Sequence, residues 1–521
     1  MKRKFHLTVF HTSDTHGHLT SDSYSHLPPM PKGLSRVSSF LKTQKQEHQI
    51  RIDLGDTIQG SPLAFMYKNH QKSKRNPFSQ LLNHIKYDYF IPGNHDFNYG
   101  LEYLNEFLDQ THVKVLCSNV YDGDKLYFRS AYDIKTFEDN LRVAIIGITN
   151  NYIPNWETKK TIGDLIFEQA DISARNIIES IKQKEHPDYV IVAYHGGYEC
   201  NIDTGVNEAK NPTENLGCKI FKSIPDVDLL LTGHEHRHLV LNEKNRVMLQ
   251  PGYAGECVSQ TDIIFNNENG DWNVDTVDAK LVYMKDYQDD PEAIDLIKDF
   301  IDDANQELDQ VIGFTEQPFK LENPLKDRLN NHIMFQYINA VQKDVTNAMI
   351  SCCGLGNDVT GFNQNITIRD VLNTYVYPNT LSLCEISGKT LKSALLHNAQ
   401  FFYINDHQEI DINPKYLYPK KELYNYDIFS GVSYEYHIYK TKDNEVKHIK
   451  VNDVPINDSD IFTFVINSYR LSGGGNITWH EDLKVIKHFP LDITEVLIDS
   501  ISKSHQVSIF DENNIKIIKH L

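Results

Sequence analysis

The 521-residue sequence predicts an α/β domain over residues 1–285, with two packed sheets or one large one flanked by helices, a linker helix over 286–312, and an α+β domain over 313–521. Three observations carry this. The chain is too long for one hydrophobic core. In its first half, short apolar β-branched runs alternate with stretches whose apolar residues recur at helical spacing, the pattern of strand-helix-strand units. Residues 286–310 are then acidic, with Pro291 near the start and Ile294, Ile297, Ile301 and Leu308 on one helical stripe, which reads as the connection between domains.

Five of the apolar runs stop at polar residues able to bind metal. Residues 5–13 end at Asp14-Thr15-His16, 50–55 at Asp56, 89–93 at Asn94-His95-Asp96, 189–194 at His195, and 227–233 at His234-Glu235-His236. Bounded by Gly, such runs read as buried strands, and side chains at the carboxyl ends of neighbouring strands converge on one crevice. Between the first two runs, Leu34, Val37, Phe40 and Leu41 mark a helix; Pro77 opens another, buried on Phe78, Leu81, Leu82 and Ile85; a third covers about 101–110. Residues 142–149 form a core strand, Ile172, Ile177, Ile178 and Ile181 mark a helix, and 246–252, 258–265 and 277–284 are further strands. The second domain mixes helices at 327–343 and 387–400 with strands at 431–439, 445–451 and 461–467.

Lys plus Arg number 52 against 71 Asp plus Glu, a formal charge of −19. An acidic surface repels polyanions, so long nucleic acid and anionic membrane are not expected partners, while a small phosphate ester is attracted where metal ions invert the local field. The amino terminus is basic and then apolar, but its apolar part is shorter than the ~7–15 residues of a secretory leader and runs directly into Asp14. No run of ~18 apolar residues suggests a membrane span. The seven cysteines, 117, 200, 218, 257, 352, 353 and 384, show no paired spacing, which suits a reducing cytoplasm; Cys352 and Cys353 read as buried residues in a Gly-containing turn.

Imidazole and carboxylate donors suit two divalent transition ions, manganese, zinc, cobalt or iron, and the lack of cysteine argues against a structural zinc knot. Asp14-x-His16 and His234-x-His236 would each place two ligands on one face of an extended segment, and Asp56 is the natural bridge between ions.

Together, Asp14-x-His16, Gly55-Asp56, Gly93-Asn94-His95-Asp96, His195 and Gly233-His234-x-His236 resemble, in order and spacing, the motifs of the calcineurin-like metallophosphoesterases. The resemblance implies one metal on Asp14, His16, Asp56 and His236 and another on Asp56, Asn94, His195 and His234. Further on, ITIRDVLNTYVYPNTL, LYNYDIFSGVSYEY and FVINSYRLSGGG are similar to the carboxyl-terminal domain of bacterial 5′-nucleotidases, nearest to the 2′,3′-cyclic-nucleotide 2′-phosphodiesterase/3′-nucleotidase branch. This implies metal-dependent hydrolysis of a nucleotide, with the base stacked between two aromatic rings of the second domain.

With Asn94 a ligand, His95 is left to face substrate and protonate the leaving oxygen. Many 5′-nucleotidases carry an acid three positions on; here that residue is Asn98, a marker of the cyclic phosphodiesterase branch, and Asp96 is the nearest carboxylate, catalytic or structural. Tyr469 with Tyr424 or Tyr426 would clamp the base. The resemblance to 5′-nucleotidases also implies an arginine that grips a terminal phosphate from the Gly-rich turn after Cys353; here that turn has none, which favours less charged esters, with Arg470 as partial compensation. Two other readings share these residues: a phosphoesterase of another substrate class, and a nucleotide sensor with little turnover. Oligomeric state is not legible.

Overall fold

The computed structural model describes residues 3–521 apart from 23–28, 71–74, 203, 208–212, 269, 376, 378, 419, 472, 476 and 509–511. The chain divides into two compact units, Met1–Ala304 and Asn305–Leu521.

The first unit holds two six-stranded sheets. Five of its strands lead to the site: β1 (Arg3–Thr12), β2 (His48–Asp53), β3 (Tyr89–Phe90), β4 (Tyr189–Tyr194) and β5 (Leu229–Thr232). In one sheet β1 pairs in parallel with β2, and β2 with β3. In the other, β4 lies parallel between β5 and Arg142–Ile148. Strand periodicity explains the layering. Phe5, Leu7 and Val9 of β1, Ile50 and Ile52 of β2, Ile191 and Ala193 of β4, and Leu229 and Leu231 of β5 meet in one buried core between the sheets. The intervening residues face helices: Phe10 packs edge-on against Phe40 of helix Leu34–Thr43, while Val190, Val192 and Leu230 join Ala174, Ile178 and Ile181 of helix Ala170–Lys184. Each fully buried large apolar side chain contributes about 1.5–3 kcal/mol.

The expected strands near 246, 258 and 277 are Arg246–Pro251, Cys257–Glu268 and Asp271–Tyr283. Two helical stripes are rotated from expectation. In Ala170–Lys184 the buried face is Ala170, Ala174, Ile178 and Ile181, and Ile172 is exposed. The expected linker helix is Pro291–Leu308, and it buries Ala293, Ile297, Phe300, Ala304 and Leu308 rather than Ile294 and Ile301. Phe300 lies edge-on to Tyr67, so most of this helix packs on the first unit, and the boundary falls near its end.

In the second unit a five-stranded sheet orders Ile428–Ser430, Ile350–Cys353, Ile461–Asn467, Thr380–Ser387 and Lys484–Asp492. A four-stranded sheet contains Ser433–Tyr439 and Glu445–Val451. The single helix expected at 327–343 is two, Pro324–Leu329 and Ile333–Thr346, broken where Asn331 turns left-handed with φ 47°. Cys352 and Cys353 lie in a buried strand rather than in a turn. Among the described residues, no helix is long and apolar enough to cross a membrane.

Asp228, at the entry to β5, accepts the Val190 N–H at 2.8 Å, and burial pushes its carboxyl up to about 6. A raised native pKa means that Asp228 favours folding fully below its unfolded value near 3.9, and that this contribution is lost as pH rises through about 6. Urea midpoints between pH 4 and 8 should show the wild type losing stability relative to Asp228→Asn across that window; parallel curves would overturn the assignment.

Candidate dimetal site

The loops that follow β1 to β5 bring all seven expected ligands together, but not by the expected local geometry. Asp14, His16, Asp56, His234 and His236 have φ of 54°, 47°, 52°, 71° and 59°, so five of the seven occupy the left-handed region that non-glycine residues rarely adopt. The Asp-x-His and His-x-His pairs therefore share a site through tight turns beyond the strand ends, rather than through one face of an extended strand. Strain of about 1–3 kcal/mol per residue persists only where the surroundings over-determine it. They do so here: Asp14 N–H donates to Gly55 O, His16 N–H to Asp56 O and Gly17 N–H to Thr57 O, at 2.8–2.9 Å, lacing the loop after β1 to the loop after β2.

Donor atoms gather in two groups, Asp14, His16 and His236, and Asp56, His195 and His234, each with its atoms within 4.8 Å of one another. Asn94 Oδ1 joins the second group, 3.2 Å from His195 Nε2 and 2.9 Å from His234 Nδ1. Asp56 Oδ2 lies between the groups, 3.2 Å from His195 Nε2 and 3.9 Å from His16 Nε2. It is buried and meets no hydrogen-bonding geometry with any described residue. That orphaned oxygen fits a bridging ligand, since a buried carboxylate oxygen left unpaired is costly.

The imidazoles are set for coordination. His16 Nδ1 is 3.1 Å from Gln59 O, and His195 Nδ1 donates to Leu54 O; a carbonyl only accepts, so each ring carries its proton at the rear and turns Nε2 to the cluster. His234 is held at Nε2 by Glu214 Oε1, 3.2 Å away, leaving Nδ1 forward. His236 stacks flat on Tyr253, centroids 5.0 Å apart. Burial pushes His16 down to about 3; for His195 burial acts the same way, but Asp56 and Asp14 override it and hold the ring up at about 10. Such opposed demands within one buried cluster are what divalent cations relieve. The donor set, its geometry and the orphaned oxygen thus fit two divalent ions.

Gly93 has to be glycine because a Cβ there would stand 2.3 Å from Asp56 Oδ1 and 2.6 Å from His195 Cε1. Asp96 is corrected from a catalytic to a structural role. Its carboxylate is fully buried and accepts four backbone N–H groups, Asp56 at 2.9 Å, Thr57 at 2.8 Å, Ile58 at 3.2 Å and Gly93 at 2.8 Å, which leaves it no path to substrate. His95 lies beside the cluster, edge-on to His16 at 5.2 Å between centroids, with Nδ1 2.7 Å from Asn98 Oδ1.

The expected base-binding residues separate. Tyr424 and Tyr469 neighbour each other at 6.4 Å between centroids, with their planes 72° apart, so they present an edge-to-face pair rather than a parallel clamp. Tyr377, which sequence reasoning did not single out, lies 6.4 Å beyond Tyr424 and is partly exposed. Tyr426 is fully buried against Phe401 and Phe402 and is a core residue. Arg470 is likewise excluded as a phosphate ligand. It is 1% exposed, and its guanidinium is held by Asp427 Oδ2 at 2.7 Å, Asn425 Oδ1 at 3.0 Å, Gly474 O at 2.9 Å and Tyr424 O at 2.6 Å. It ties the turn carrying Tyr424 to the turn carrying Tyr469. The glycine run is close packing: a Cβ on Gly474 would lie 2.5 Å from the Tyr469 ring.

Cys200 and Cys218 form a disulfide, correcting the expectation of unpaired cysteines; the other five are free and buried. The argument from unpaired cysteines to a cytoplasmic location therefore no longer applies. Sequence reasoning also missed Glu214 and Tyr253, which no periodicity or motif marks.

With this geometry in place, the comparisons define the class. Residues 7–238 match the calcineurin-like phosphoesterase family and residues 311–482 the 5′-nucleotidase C-terminal domain, so the chain joins these two domains. More particularly, a 2′,3′-cyclic-nucleotide 2′-phosphodiesterase/3′-nucleotidase of Haemophilus influenzae is 25% identical, the match covering 96% of this chain and 85% of that one. A 5′-nucleotidase of Vibrio parahaemolyticus is 19% identical, covering 94% of this chain and 91% of its own. Among solved structures, a Staphylococcus aureus protein classed provisionally as a 5′-nucleotidase superposes with a TM-score of 0.89 at 27% identity, covering 99% of this chain and 100% of that one.

Asp96→Asn should cost about 3–5 kcal/mol in urea unfolding, because its new NH2 would face donors where an acceptor stood, and it should lower metal stoichiometry. A loss below about 1 kcal/mol would show that the four N–H groups find other acceptors.

Proposed function

We propose that this protein hydrolyses phosphate esters of nucleotides at a two-metal site, acting on 2′,3′-cyclic nucleotides in preference to 5′-monophosphates. The observation that carries this reading is the pair of donor groups flanking Asp56 Oδ2, with His95 at their side. Asp14, His16 and His236 would hold one ion and Asn94, His195 and His234 the other, with Asp56 between; manganese, zinc, cobalt and iron all suit these donors. When bound, such ions neutralise phosphoryl oxygens and make water a nucleophile near neutral pH. The chain's own part is positioning and proton transfer. His95, its Nδ1 engaged by Asn98, can present Nε2 toward a leaving oxygen and donate a proton there.

The phosphate preference is supported by the absence of an available guanidinium among the residues singled out for the phosphate, since Arg470 is consumed in the fold. A cyclic diester carries one charge where a terminal monoester carries nearly two, and so asks less of such a group. Tyr424, Tyr469 and Tyr377 offer ring faces to a base, worth about 1–3 kcal/mol for each stacked ring.

Chelation should abolish turnover and lower Tm, and returning each divalent metal in a matrix with 5′-, 3′- and 2′,3′-cyclic nucleotides should restore hydrolysis, fastest on the cyclic esters. No hydrolysis with any metal would sink the hydrolase reading, and a dominant 5′-activity the preference. Replacing both Tyr424 and Tyr469 by Ala should raise KM for nucleotides roughly 10- to 100-fold while leaving a small aryl phosphate nearly unaffected. Equal losses on both substrates would refute base stacking.

A further inference from the structure

Asn98, the hydrogen-bond partner of the His95 ring, leads to a carboxylate one link further out. Asn98 Oδ1 lies 2.7 Å from His95 Nδ1, and Asn98 Nδ2 donates to Glu157 Oε1 at 2.5 Å. Glu157 follows the short turn Ile153–Asn155, anchored by its own N–H to Ile153 O at 2.9 Å. Its neighbour Trp156 lies 5.4 Å from the His234 ring, so one turn touches both a metal ligand and the support of His95.

We propose that Glu157 is a positioning residue that sets the tautomer of His95 through the Asn98 amide, an inference that rests on the hydrolase reading for its catalytic consequence. A side-chain amide is symmetric in shape but not in chemistry, and either end can face a neighbour. A carboxylate oxygen accepts, and Glu157 Oε1 takes the NH2 end of the amide. That turns the carbonyl of Asn98 toward His95, and a carbonyl accepts only, so His95 carries its proton on Nδ1. Nε2 then carries no proton in the neutral ring, and it can take one from solvent water and pass it to the leaving oxygen. Remove Glu157 and the amide can reverse, its NH2 donating to Nδ1 and moving the proton to Nε2, where the neutral ring can no longer take one up. The relay thereby fixes orientation and tautomer without a charge against the ring.

Two variants test this in the full-length, metal-loaded protein. Glu157→Ala removes the acceptor; Glu157→Gln keeps the shape and reach but can donate as well as accept, so it no longer forces the Asn98 amide one way. Glu157→Ala should lower kcat about 10- to 100-fold with KM, metal content and Tm close to wild type, and Glu157→Gln should show a smaller loss of the same kind. Independently of turnover, 15N spectra of histidine-labelled protein, with the His95 signals assigned by His95→Gln, should show the Nδ1–H form in wild type and a shift toward the Nε2–H form in both variants. A wild-type tautomer retained in either variant would overturn the inference. Should the wild type hydrolyse no nucleotide, the hydrolase reading falls while the spectra still decide the tautomer.

Discussion

The N-terminal unit depends on how the Asp56 carboxylate is held. Its backbone N–H is fixed by Asp96, its Oδ1 accepts the His95 N–H at 2.6 Å, and its carbonyl accepts the His16 N–H, so the loops after β1, β2 and β3 are tied through one residue. Only Oδ2 is left over, and it points between His16 and His195. A carboxylate oxygen can stay available as a ligand only if it cannot rotate away, and here rotation would break the bond to His95 N–H. Asp96 makes this possible by gathering four backbone donors onto one buried carboxylate, an arrangement whose value lies in the high cost of leaving any of them unpaired.

The same economy explains the strained backbone. Left-handed residues at Asp14, His16, Asp56, His234 and His236 direct side chains inward from the ends of parallel strands. Two sheets packed through aliphatic faces supply the rigidity that maintains them. Imidazoles anchored at the rear by Gln59, Leu54 and Glu214 then reach the site with one nitrogen already forward. Order imposed before any ligand arrives reduces what binding must impose later.

In the second unit a buried arginine plays the part that Asp96 plays in the first. Arg470 has its charge neutralised by Asp427 and spends its remaining donors on Asn425, Tyr424 O and Gly474 O. A fork of several fixed donors suits this task better than a flexible ammonium would. It leaves the neighbouring tyrosines partly exposed and mutually edge-on, an arrangement set by the turns rather than by the rings themselves.

What the sequence determined by itself was periodic or terminal. Strand runs alternate because one face meets the other sheet and the other meets helices, and Asp, His and Asn at the ends of such runs announce a shared crevice. Helical faces were less legible: in Pro291–Leu308 small Ala293 and Ala304 lie on the buried side, and alanine carries too little hydrophobic signal to reveal it. Tertiary structure alone decided the rest. Glu157 reaches Asn98 across 59 residues, Glu214 reaches His234 across 20, and Cys200 meets Cys218 across 18. Whether Arg470 faces a ligand or a buried carboxylate, and whether Tyr426 stacks on a base or on Phe401, depends on which side of a turn is covered. Local periodicity encodes which face of an element is buried, but a polar partner across a loop is chosen by distances that exist only once the chain has folded.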